Sequence, residues 1–148
     1  SLAGVPINQG IAVTGSVNQN GDIQPIGGVN YKIEGFFRVC ELKGLNGRQG
    51  VIIPRKNVEQ LMLSDDIIDA VRKKRFTIWA VDHIDQGLEI LTGVPAEIRT
   101  KKGFPQGSIH YLAERKLSKW QEIKLHRYPR AMTGKRSSRN QGRRRRIF

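Results

Sequence analysis

The sequence predicts an α/β (α+β layered) domain, and three observations carry that reading. Short β-branched or apolar runs, IAVTGSV at 11–17, GVIIP at 50–54 and FTIWAV at 76–81, have strand length and composition. Between them lie segments whose apolar residues recur at helical spacing. Strands alternating with helices bury their apolar faces as layers.

The first run is followed by Asn18-Gln19-Asn20-Gly21 and resumes over Asp22–Ile26. Asn-Gly between two such runs signals a hairpin, because both residues tolerate positive φ. Gly27-Gly28 then opens a helix in which Val29, Ile33, Phe36, Phe37 and Cys40 form one stripe, with Gly44 as its stop. GVIIP is a short buried strand ended by proline. Asn57 and Gln60 stand three apart, like a capping box, and predict the start of a helix carrying Leu61 and Leu63. Ser64-Asp65-Asp66 opens another helix that closes on Lys73-Lys74-Arg75, acids first and bases last as the helix dipole favours. After FTIWAV, Asp85 is read as the cap of a helix with Ile84, Leu88 and Leu91 on one face, ended by Gly93 and Pro95.

The remainder differs in character. Residues 97–107 (EIRTKKGFPQG) read as a linker, and Ser108 caps a further helix with Ile109, Leu112, Leu117, Trp120 and Ile123 at helical spacing. That stripe is expected to dock on the body or on a neighbouring subunit. From His126 to Phe148 there are nine Lys/Arg and no Asp/Glu, and the Gly/Ser/Arg-rich stretch from Met132 is expected to be disordered. The chain is thus divided into 1–96, a linker and accessory helix over 97–125, and a basic tail over 126–148.

Of 26 Lys/Arg and 13 Asp/Glu, removing the nine basic residues of the tail leaves 17 against 13, so most of the net charge of +13 belongs to the tail. Such a tail implies at most weak, sequence-independent contact with nucleic-acid phosphates through Arg143–Arg146. The single cysteine, Cys40, cannot form an internal disulfide, which suits a reducing cytoplasm. No apolar run approaches a membrane span, and no signal-peptide pattern is visible. The chain opens on Ser1 without a Met, and the expectation is a fragment.

His83, His110 and His126 are far apart in sequence, without His-Glu-x-x-His or a cysteine pair, so zinc is not expected. No P-loop is present, so no ATP hydrolysis is expected of this segment. The glycines of 21–28 could cradle a phosphate but read more simply as turns. Lys32 lies on the shoulder of the apolar stripe, about 60° from Val29 and about 40° from Phe36 at about 100° per residue. It could be partly buried there, or could snorkel with a wet ammonium.

The literal string of residues 14–37, TGSVNQNGDIQPIGGVNYKIEGFF, resembles the Lon protease family, most closely its bacterial Lon-related branch. The resemblance continues through GLNGRQGVIIPRKN (44–57), the Ser64 helix and IWAVDHIDQGLEILTG (78–93), and reaches weakly into FPQGSI (104–109). It implies a partial Lon-type proteolytic domain from an ATP-fuelled protease, in which a serine–lysine dyad cleaves protein substrates fed by an ATPase module that uses ATP and Mg. The dyad lysine falls on Lys32, and Thr14 matches a threonine that approaches its ammonium. The nucleophilic serine falls upstream of Ser1, and neither Ser1 nor Ser16 matches it. Where the family usually has an acid, this chain has Tyr31. A serine hydroxyl needs a base, and desolvation favours the neutral amine that can act as one. The resemblance further implies a homo-oligomeric ring, read as a hexamer, and a chain inactive by itself. The alternative is a non-enzymatic remnant or assembly module of such a protease.

Overall fold

The computed structural model describes residues 2–96 and 99–127, leaving the side chains of 125–127 aside. Its centre is a three-stranded parallel sheet in the order β1 (Ile11–Val13), β4 (Gly50–Pro54), β5 (Thr77–Val81). Ile11 pairs with Gly50, and Gly50 with Thr77, so one register runs across all three strands. Every residue of β4 is buried, as a central strand covered on both faces requires. A Cβ on Gly50 would collide with the Thr77 carbonyl and the Trp79 ring, so only glycine fits the start of this strand.

The run expected over 11–17 is two strands. Thr14 and Gly15 leave the sheet, and β2 (Ser16–Val17) pairs antiparallel with β3 (Ile23–Gln24) in a separate hairpin. The Asn18 side chain builds its turn, accepting from the backbone N–H groups of Asn20 and Asp22, and Gly21 takes the positive φ of 90°.

Helix α1 (Val29–Leu42) buries Val29, Ile33, Phe37 and Cys40, with Phe36 partly buried, which is the stripe the sequence predicts. It stops ahead of Gly44, whose φ is 86°. These side chains meet Val51 and Ile53 of β4, Ile67 and Ala70 of α2 (Asp65–Arg72), and Phe76 in one core. The Phe37 and Phe76 rings meet edge to face, with centroids 5.2 Å apart.

The helix expected from Asn57 through Leu63 is not formed. A 3-10 helix over Arg55–Gln60 ends where Leu61 turns extended. Asn57 is buried and spends its side chain on a distant backbone, while Leu61 and Leu63 reach the core from an extended segment. Helix α3 (Ile84–Thr92) forms where expected but begins two residues earlier, capped by His83, not Asp85. His83 Nδ1 accepts from the Asp85 N–H, and Gln86 Oε1 accepts from the His83 N–H. Gly93, with φ 70°, ends the helix.

Helix α4 (Ile109–Arg127) starts at Ser108, whose hydroxyl accepts from Tyr111 N–H and donates to the Pro105 carbonyl. Ile109 is buried, whereas Leu117, Trp120 and Ile123 are each about half exposed. The docking expected of that stripe is therefore confined, among the described residues, to the first turns of α4. Apart from His126 and Arg127 at the end of α4, the tail expected over 126–148 lies outside the described residues. No helix among the described residues is long and apolar enough to cross a membrane.

Candidate active site

Lys32 sits in the first turn of α1, and its N–H closes that turn on the Gly28 carbonyl at 3.2 Å. Gly28 adopts the left-handed conformation (φ 68°) and supplies no side-chain cap. Positions 29, 33 and 37 point into the core, so position 32, turned about 100° from 33, faces outward. The Lys32 side chain is exposed. The partial burial entertained from the sequence does not occur within this chain. Added Cβ atoms on Gly27 and Gly28 would meet nothing within 4 Å, so the approach to this turn is open. Tyr31 is 80% exposed and faces away from the core.

Thr14 lies just beyond β1, half-buried, with its N–H on the Ile52 carbonyl at 3.0 Å. Strand β4 therefore fixes where Thr14 leaves the sheet. The loop before α1 is fixed by the segment that follows β4. Asn57 Oδ1 accepts from Ile26 N–H at 3.0 Å, and Asn57 Nδ2 donates to Ile26 O at 2.9 Å. Asn30 Nδ2 donates to the Gln60 carbonyl, and Asn30 Oδ1 accepts from Met62 N–H. The spacing of Asn57 and Gln60 resembles a cap, but Asn57 serves a backbone 31 residues away and leaves no local signal of it. Ser16 is exposed on the hairpin, and Ser1 lies outside the described residues.

A second cluster was not foreseen. His83 and His110 converge on Asp85: His110 Nε2 lies 2.8 Å from Asp85 Oδ1, and His83 Nδ1 lies 3.4 Å from Asp85 Oδ2. They border a cavity of about 560 Å³ between the hairpin turn, the start of α3 and the Arg99–Phe104 loop. The other nitrogen of His83 is engaged by the Asn20 carbonyl at 3.1 Å. Among the described residues no group of three or more His, Cys, Asp or Glu side chains is placed to hold a metal ion. Cys40 is buried in the core, where desolvation pushes its thiol pKa up and a nearby Lys43 charge opposes this more weakly.

Residues 1–93 match the family model of the Lon protease (S16) C-terminal proteolytic domain. A Lon protease homolog of Escherichia coli is 54% identical over 91 residues, covering 62% of this chain and 16% of that protein. A Lon protease homolog of Haemophilus influenzae is 50% identical over 93 residues, covering 63% of this chain and 16% of that protein. An archaeal Lon protease of Thermococcus kodakarensis is 37% identical over 90 residues, covering 61% of this chain and 12% of that protein. The chain thus spans only a small share of the length of these relatives.

Proposed function

Because this chain belongs to the Lon protease (S16) C-terminal proteolytic domain family, we propose that it supplies the general base, Lys32, of a serine endopeptidase that degrades proteins in the cytoplasm. The nucleophilic serine lies in a segment upstream of Ser1, so the chain alone is inactive. In the joined protein the neutral Lys32 amine takes the serine proton as the hydroxyl attacks the scissile carbonyl. The resulting ammonium then protonates the leaving amine. Thr14 helps to hold the amine in place. An ATPase module outside this chain, using ATP and Mg, feeds protein substrates, and copies assemble as a hexameric ring.

The observation that carries this reading is the placement of Lys32. It projects from the first turn of a helix whose next residue, Ile33, is fully buried, beside an approach left open by Gly27 and Gly28. Its backbone lies in a hydrogen-bonded helical turn and its side chain is exposed.

The test has two halves. The chain alone should show no peptide hydrolysis and no labelling by a serine-directed fluorophosphonate. Joined to an upstream serine-bearing segment, it should hydrolyse peptides. Labelling of the isolated chain would place the nucleophile inside it and sink the assignment.

One observation favours a second reading, a non-enzymatic assembly module: Leu117, Trp120 and Ile123 form a half-exposed apolar face on α4. On that reading the joined protein would bind partners without turnover. Contact of the basic tail with nucleic acid would be nonspecific and would vanish in moderate salt.

A further inference from the structure

Two polar side chains are buried among the described residues, Ser108 and Asn57. Ser108 caps α4, whereas Asn57 caps no α-helix. It is 0% exposed, and each polar position of its carboxamide is engaged. Besides its two bonds to Ile26, Nδ2 donates to Gln60 Oε1 at 2.8 Å. A carboxamide that grips both the N–H and the C=O of one residue acts as a rung of β ladder supplied by a side chain. Fully satisfied in a dry setting, such a rung is rigid, and losing one partner leaves an uncompensated polar group behind.

What the rung holds is the approach to α1. Ile26 is followed by Gly27 and by the left-handed Gly28, which supplies no capping side chain. Since the Lys32 N–H closes on Gly28 O, the direction in which the first turn leaves the hairpin depends on where Ile26 is held. The Asn30 bonds to Gln60 and Met62 fix the far side of that turn to the same segment. The other end of this segment is β4, whose Ile52 carbonyl receives the Thr14 N–H. Thr14 and Lys32 are therefore both referenced to one stretch of chain, residues 52–62.

We propose that Asn57 is a positioning residue for Lys32: its double bond to the Ile26 backbone sets the reach of the lysine amine toward Thr14 and the reacting serine. This inference rests on Lys32 being the general base. Misplacement of a reacting group by about 1 Å can cost about 100-fold in rate. In the protein that joins this chain to its serine-bearing segment, Asn57→Asp and Asn57→Ala should lower kcat by about tenfold to 100-fold with KM little changed. A lesion that only unfolds a fraction of the molecules would speed amide exchange throughout, β4 included. In the chain itself, Asn57→Asp should speed amide exchange over Val29–Ile33 ahead of β4.

Gln60→Ala removes one of the three bonds from an exposed position and should lower kcat by a smaller factor, so it carries the test if the Asn57 variants do not fold. Lys32→Ala is measured alongside. If Lys32→Ala is inert while the Asn57 and Gln60 variants keep the parental kcat, the positioning role is wrong and the dyad stands. If Lys32→Ala itself retains turnover, the dyad reading is what fails.

Discussion

His110 Nε2 lies 2.8 Å from Asp85 Oδ1, a bond that ties the first turn of α4 to the first turn of α3 across 25 residues. The tie has company: Ile109 N–H donates to the Pro95 carbonyl, and the Phe104 and His110 rings have centroids 5.1 Å apart. The segment read from sequence as a linker is thus followed by a helix whose start is held on the body and whose later turns are exposed.

Replacing His110 by Ala should therefore act locally. The expected loss is about 1 kcal/mol, that of one partly buried hydrogen bond. Amide exchange should rise over Ile109–Ala113 while β4 stays protected. Unchanged protection at the start of α4 would show that Pro95 and the ring contact hold the helix without the imidazole.

For Lys32, the informative substitution is the one that keeps the charge. In the joined protein Lys32→Arg should be as inert as Lys32→Ala, because a guanidinium stays protonated and cannot accept the serine proton. The loss expected for a missing general base is about 100-fold to 10,000-fold in peptide hydrolysis. Thr14→Ala should cost less, since it affects only placement of the amine. Parental turnover by Lys32→Arg would return Lys32 to an ordinary surface lysine.

Two glycines give opposite expectations for the same change. Gly35 lies inside α1, and an added Cβ there meets nothing within 4 Å, so Gly35→Ala should stabilise by about 0.5–1 kcal/mol. At Gly50 the added Cβ meets the Thr77 carbonyl of the neighbouring strand, and Gly50→Ala should destabilise by about 1–3 kcal/mol or more. Urea midpoints measure both. Tolerance of alanine at position 50 would mean that the β4–β5 register is wrong.

Acid should weaken α2 in a defined direction. Lys73, bonded to Asp69 at 2.8 Å, and then the charges of Lys73, Arg75 and Arg72 hold the Asp69 carboxyl below the usual carboxylate range. Its folded pKa is thus lower than its unfolded one. The contribution to stability is present above about pH 4, the unfolded value, and fades as pH falls through the folded value. Asp69→Asn should flatten that part of the acid limb, and about 1 M salt should shrink the difference, because the pair is exposed. An acid limb identical in the two proteins would show that the pair contributes nothing.

Much of the fold can be read in the sequence because its signals are local. The stripe Val29–Ile33–Phe36–Phe37–Cys40 needs only periodicity, and the runs GVIIP and FTIWAV only local composition; each forms the expected element, with the last strand starting at Thr77 and Phe76 given to the core. Errors arose where a side chain serves a distant backbone. Asn57 looked like a cap because Gln60 follows at the right spacing, yet its partner is Ile26. Asp85 looked like the α3 cap because carboxylates often are, but it lies between two histidines and His83 takes the cap. The candidate site divides in the same way. The motif pointed to Lys32 and Thr14, whereas the strand and the 3-10 helix that hold their backbones emerge only from the pairing of β1 with β4.

The hairpin of β2 and β3 has its own dependence. Two strands of two residues would not hold together in water by themselves. Their order is borrowed: Ile84 N–H bonds the Gly21 carbonyl, Ile23 N–H bonds the Asp82 carbonyl, and His83 Nε2 reaches Asn20 O across 63 residues. The hairpin and the start of α3 therefore form one cooperative unit of opening, and the amides of residues 17–24 should exchange in step with those of 83–86. The loop that delivers Ile26 to Asn57 emerges from this unit, so opening at the start of α3 is expected to speed exchange at the start of the helix that bears Lys32 as well.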